Sequence, residues 1–156
     1  MKHRVQMDEV DQRILRALQR DASSSHVALA EQVGASAASC WRRIRALEES
    51  GILQQAVRLI DPQLIGRGVN VICQVRVKSH APEVGHAFEQ YVASQEEIME
   101  CYSMTGEWDY LLRVVASDVA DYDRFLKRSL LSHPAVATVA SHFALNQVKY
   151  TTALPV

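Results

Sequence analysis

Residues 34–51 read GASAASCWRRIRALEESG. A glycine stands at each end, Ser36 lies just inside the first, and three arginines crowd the middle. Ser36 can cap a helix that starts at once. At roughly 100° per residue, Cys40, Ile44 and Leu47 share one side, and Ala38, Arg42, Arg45 and Glu49 point the other way. The first turn carries only small residues, Ala37, Ala38 and Ser39, so its backbone can approach a duplex groove closely. Ser36 and Ser39 can donate to phosphate or base edges, and the free N–H groups of a helix start favour phosphate. The candidate DNA-contacting set is therefore Ser36, Ala38, Ser39, Arg42, Arg43 and Arg45. Arg42 is assigned to bases, and Arg43 and Arg45 to phosphate or structural pairing. Trp41, on the flank, is expected to pack within the domain. The plainer alternative is a solvated basic face balanced by Glu48 and Glu49.

A second concentration of chemistry is Thr105-Gly106-Glu107-Trp108-Asp109. Gly106 permits backbone conformations barred to other residues, or close approach by a ligand. Asp109 places a carboxylate at a strand edge. A plain hairpin turn would use the same residue types.

Other chemistry finds little support. His26, His80, His86, His133 and His142 have no metal-ligand spacing. No nucleophile-elbow motif links serine, histidine and aspartate, so no enzyme is expected. Cys40, Cys73 and Cys101 offer neither a disulfide framework nor a CxxC pair, and each falls in an apolar periodic segment that suits a buried thiol. Net charge is −1 over 156 residues, but residues 1–60 carry a net +2 and the remainder −3. Any anion-binding role therefore belongs to the N-terminal part. No apolar run approaches the ~20 residues of a membrane span, and a reducing cytoplasm fits the thiols, with the protein on the nucleoid.

These residues need elements to hold them. Asp8 can cap a first helix with Val10, Ile14, Ala17 and Leu18 inward. Ser25 caps HVALAEQV, which ends at Gly34. Two short helices joined by a tight glycine turn, after a longer supporting helix, form a helix-turn-helix. GILQQAVRLIDP, 51–62, reads as a strand-like link. The reading gives a DNA-binding domain over 1–60, a linker over 61–68 and a second domain over 69–156. In 69–78, Val69, Val71, Cys73, Val75 and Val77 alternate with Asn70, Ile72, Gln74 and Arg76, a strand with one apolar face. A helix opening at Pro82, strands at 98–104 and 110–117, a helix from Ser117 or Asp118, and a last strand over 136–149 follow. The order βαββαβ is ferredoxin-like, with both helices on one face of an antiparallel sheet. Ile72, Val139, Phe143 and Leu145 leave apolar atoms on both faces, which predicts at least a homodimer.

MDEVDQRILRALQRDA, LAEQVGASAASCWRRIRALEESGIL, CYSMTGEWDYLLRVV and VKYTTALPV occur in the order that resembles the Lrp/AsnC family of transcription regulators, over nearly the whole chain. The chain departs from the family pattern at Ala22–Ser25, Ala35 and Ala37, on or near the DNA side, which bears on operator sequence rather than fold. The resemblance implies an α+β protein: a winged helix-turn-helix, then a βαββαβ effector domain. It implies dimers that assemble further, often to octamers, on double-stranded DNA, with an amino-acid effector and no other cofactor. The effector would sit at the 105–109 turn. Asp109 would meet its ammonium, N–H groups near Thr105 and Gly106 its carboxylate, and Tyr102, Met104 and Trp108 its side chain. Ser141 of a neighbouring subunit would complete the site. Two further readings are an architectural DNA protein without effector and an enzyme whose layout resembles tetrapyrrole decarboxylases. The latter would need a basic, His-rich cleft in a domain that is net acidic here.

Overall fold

The computed structural model describes residues 6–156. Asp8 and Asp11 cap α1 (Glu9–Leu18) reciprocally: the Asp11 N–H donates to Asp8 Oδ1 at 2.9 Å and the Asp8 N–H to Asp11 Oδ2 at 3.1 Å. Ser25 caps α2 (His26–Val33), its Oγ accepting from the Ala28 N–H. Gly34 ends α2 in the left-handed region (φ 69°), and Ser36 opens α3 (Ala37–Glu49) by accepting from the Ser39 N–H. The turn is short because terminator and next cap are two residues apart. Ile14, Leu15, Leu29, Ala30, Val33, Cys40 and Leu47 are buried together between the three helices. Ala30 and Cys40 are small enough to let α2 and α3 cross closely.

The link after α3 forms no strand: residues 52–61 have no ladder partner among the described residues. Ile52 and Leu53 fold back on the helical core, and the Leu53 N–H donates to the Leu47 carbonyl. Val57, Leu59 and Ile60 are left exposed. The expected strand-like wing is thus an irregular segment.

The chain divides into two compact units, one up to Leu59 together with Lys149–Val156, the other Ile60–Val148. This corrects the expected boundaries twice. Residues 61–68 are a folded turn of the second unit rather than a free linker: Asp61 Oδ1 accepts from the Gln63 N–H, and Arg67 pairs with Asp121 at 3.2 Å. The last eight residues pack on α1 instead of extending the sheet.

The second unit holds a four-stranded antiparallel sheet in the order β2-β3-β1-β4, with β1 Val69–Val77, β2 Ile98–Ser103, β3 Tyr110–Ala116 and β4 Val136–Phe143. Val71, Cys73, Val75 and Val77 of β1 are buried, with Tyr110, Leu112, Val114 and Ala116 of β3. The helices α4 (Pro82–Ser94) and α5 (Val119–Phe125) supply Phe88, Val92, Tyr122 and Phe125 to the same core. A wide turn over Leu126–Leu130 prolongs α5 and buries Leu130. β4 stops short of the expected 149 because β1 runs out of partners: the last ladder bond is Ala144 N–H to the Asn70 carbonyl.

Two sequence expectations change here. Val139 packs against the core and Phe143 lies edge-on to Tyr122 at 5.3 Å, so both face the helices. On the other face Arg113 donates to Glu100 and Asn70, and Tyr102 to Glu100; that face is more polar than the sequence suggested. Cys40 and Cys73 are buried, but Cys101, on edge strand β2, is exposed.

Gly34 gives a direct test of the turn. A Cβ there would meet nothing within 4 Å, so the penalty of a side chain is purely conformational. Gly34→Ala should destabilise the DNA-binding unit by about 1–2 kcal/mol, and Gly34→Asn by less, in thermal or urea unfolding. Equal stability of all three would show that the left-handed turn is not what joins α2 to α3.

Candidate DNA interface and effector cleft

The residues of α3 divide by what holds them. Arg43 is half-buried and turned towards α1, where its Nη1 lies 2.7 Å from Asp11 Oδ1 and 2.8 Å from Asp8 Oδ2. The two carboxylates raise the Arg43 pKa, with Asp11 contributing most, while the Asp11 N–H, before Arg43 itself, lowers that of Asp8. One pair of acids thus caps α1 and clamps α3. Of the two roles open to Arg43, its geometry is that of structural pairing, not phosphate contact. The acids were read from sequence only as cap and dipole partners; their signal was the arginine at the margin of α3's apolar stripe.

Arg42 and Ala38 are exposed on the outer side of α3, and Arg42 has no ion pair among the described residues. Arg45 lies over the Trp41 ring at 5.4 Å and 4.0 Å from Glu49. Trp41 is 53% exposed and serves as a platform for Arg45, so the packing within the domain expected of it is at most partial. Ser36 is exposed with its Oγ in the cap bond, and Ser39 is half-buried. A cationic side chain, a guanidinium on an aromatic plate and small residues at a helix N-terminus therefore share one solvent-facing surface. Such a surface suits a major groove and its flanking phosphates.

In the second unit the 104–109 turn is closed by the Met104 N–H donating to the Asp109 carbonyl at 2.8 Å, and Gly106 adopts φ 107°. Arg76 clamps it from β1, donating to the Glu107 carbonyl and carboxylate and covering the Trp108 ring at 5.1 Å. Both carboxylate oxygens of Asp109 are engaged within the chain. Its Oδ2 accepts from the Val77 N–H at 2.8 Å and its Oδ1 faces His80 Nε2 at 2.8 Å. The Val77 N–H, then His80, holds this carboxyl below the usual aspartate range. Asp109 therefore pins β3 to the end of β1.

Beside it opens a cleft of about 360 Å³. Its walls are His80, Gly85, His86 and Glu89 from the β1–α4 side, and Ser103, Met104 and Tyr110 from the β2–β3 side. Glu89 accepts from the Tyr110 hydroxyl at 3.2 Å and is otherwise exposed to the cleft. The α4 N-terminus lacks a side-chain cap; the Ala81 N–H donates to Ser79 Oγ, Pro82 has no N–H, and the Val84 N–H bonds the Ala81 carbonyl, so this helix end offers the cleft its positive dipole end rather than a row of free donors.

Of the expected effector residues, Met104 and Asp109 line this cleft. Thr105 and Gly106 are exposed at the turn tip and Trp108 lies under Arg76. Tyr102 belongs to the helix-free sheet face, bonded to Glu100, because β2 register puts it opposite Leu111. Ser141 faces the helices and bonds to the Tyr122 hydroxyl, beside Cys73. Strand alternation sends Tyr102 and Ser141 to opposite faces of the sheet. Sequence reasoning missed Glu89 and passed over His80 and His86, which only the β1–α4 loop brings together.

Residues 7–48 match the AsnC-type helix-turn-helix domain and residues 70–154 the Lrp/AsnC ligand binding domain. The DNA-binding transcriptional activator DecR of Escherichia coli (strain K12) is 39% identical over 96% of this chain and 99% of its own length. The glutamate uptake regulatory protein of Zymomonas mobilis is 38% identical over 96% of this chain and 90% of its own. A transcriptional regulator from Neisseria meningitidis, solved as an L-Met complex, superposes with a TM-score of 0.92 at 33% identity, covering 96% of this chain and 97% of that one. An AsnC family regulator from Agrobacterium tumefaciens gives 0.91 at 43% identity over 96% and 97%. The similarity thus runs over nearly the full length of this chain and of each of these relatives. The chain is a DNA-binding transcriptional regulator and belongs to the Lrp/AsnC family.

Proposed function

We propose that α3 enters the major groove, with Arg42 on base edges and Arg45, held on Trp41, on phosphate. Ser36, Ala38 and Ser39 form the close-approaching tip. The carrying observation is that Arg42 is the outward arginine of α3 without an ion pair among the described residues, while Arg43 is locked inward. Two such helices in a dimer would reach half-sites about 34 Å apart.

We further propose that a free amino acid binds in the cleft beside Asp109 and changes operator affinity. The L-Met complex of the Neisseria meningitidis regulator supports an amino-acid effector. Glu89 is the carboxylate open to the ammonium, the positive dipole end of α4 suits the carboxylate, and Met104 flanks the side chain. Asp109 acts by holding the turn. Assembly as dimers and higher oligomers is supported by the exposed Leu64, Ile65, Leu145 and Val148.

Arg42→Ala should weaken operator binding by about 1–3 kcal/mol, roughly 5- to 150-fold, and relax specificity at one position, with oligomer size unchanged. Fluorescence anisotropy on operator and scrambled duplexes measures this, and undiminished sequence-specific binding would remove Arg42 from the base-contacting role. Glu89→Gln should weaken amino-acid binding by about tenfold in calorimetry against the twenty amino acids, at unchanged thermal stability. An unchanged affinity would place the effector elsewhere. Asp109→Asn should instead lower thermal stability, because the Val77 N–H and His80 lose a charged acceptor.

A further inference from the structure

Residues 149–156 contribute no strand to the sheet, yet their backbone is held closely. The Leu154 N–H donates to Gln19 Oε1 at 2.6 Å, and Gln19 Nε2 donates back to the Leu154 carbonyl at 3.2 Å. One side-chain amide thus satisfies both halves of a residue's backbone, as a neighbouring strand would. Arg16 Nε donates to the Val156 carbonyl at 2.7 Å, and its Nη2 to Gln12. Val156 packs against the helical core, whereas the Leu154 side chain is 72% exposed. The grip is on the backbone and does not depend on the identity of residue 154.

The helix that grips is the one that holds Arg43. Asp8, Gln12, Arg16 and Gln19 lie within about 80° of one another around α1, at roughly 100° per residue, and span about 16 Å of its length. At one end Asp8 and Asp11 clamp α3; at the other Arg16 and Gln19 clamp the tail.

We propose that residues 149–156 are a positioning segment of the DNA-binding unit. Gln19 and Arg16 seat them on α1, and α1 transmits that seating to α3 through the Asp8–Asp11–Arg43 clamp. Gln19 and the tail touch no base in this account; they fix the pose in which Arg42 is presented. The inference rests on the reading of α3 as the DNA-contacting helix.

The test uses the full chain and an operator duplex. Gln19→Ala removes the grip from the helix side and Leu154→Pro removes the gripped N–H from the tail side. Each should raise the operator Kd about five- to tenfold, and the double variant should be no worse than the worse single. Leu154→Ala, which alters only an exposed side chain, should bind as the parent. Positioning is separated from plain destabilisation by a cycle with the clamp. In an Arg43→Gln background, or Asp11→Asn if that variant does not fold, Gln19→Ala should have little further effect on Kd. Parent-like Kd in Gln19→Ala and Leu154→Pro, while Arg42→Ala loses binding, overturns the tail's role and leaves α3 as read. Additivity between Gln19 and Arg43 overturns it as well. Undiminished binding by Arg42→Ala overturns the reading of α3, and this inference with it.

Discussion

The structure depends on one guanidinium held between two carboxylates. Arg43 lies within 2.8 Å of both Asp8 and Asp11, and these aspartates are already fixed by capping α1. With Arg43 drawn inward, the 3.6-residue repeat of α3 sends Arg42 and Arg45 outward. The clamp therefore decides which arginines of α3 face outward. Surface ion pairs are usually weak. This one is half-buried, double and anchored at a cap, the conditions under which such contacts set geometry.

The second unit uses the same device. Asp109, at the base of the turn, ties β3 to β1 through the Val77 N–H, and Arg76 ties the turn tip from the opposite side. A rigid turn beside an open, polar cleft is what a small zwitterion requires, since binding groups that are already in place need no ordering on ligand entry. Both acids line the cleft, but Asp109 is engaged in holding the turn; in the proposed effector site Glu89, on α4, is the carboxylate left to meet the ammonium.

Much of this was legible in the sequence. Asp8, Ser25 and Ser36 mark three helix starts and Gly34 one end, because caps and left-handed residues act locally. The alternation in 69–77 marks β1 and its buried face for the same reason. What could not be read depends on distant partners. The end of β4 is set by where β1 begins, 74 residues earlier in the chain than Phe143. The facing of Tyr102 and Ser141 depends on register, which one step reverses. Whether Asp109 meets a ligand or a backbone N–H depends on where Val77 and His80 stop. The tail's return to α1 has no local signal, since Gln19 grips backbone and leaves Leu154 free of constraint.

In the proposed complex α3 lies in the major groove with Arg42 on base edges. Dimethyl sulfate footprinting of the operator addresses this directly, because it methylates guanine N7 in the major groove and adenine N3 in the minor groove. The parent protein should protect guanine N7 in both half-sites, with protection reduced at one guanine per half-site in Arg42→Ala. Protection confined to adenine N3, or an identical N7 pattern in parent and variant, would contradict it.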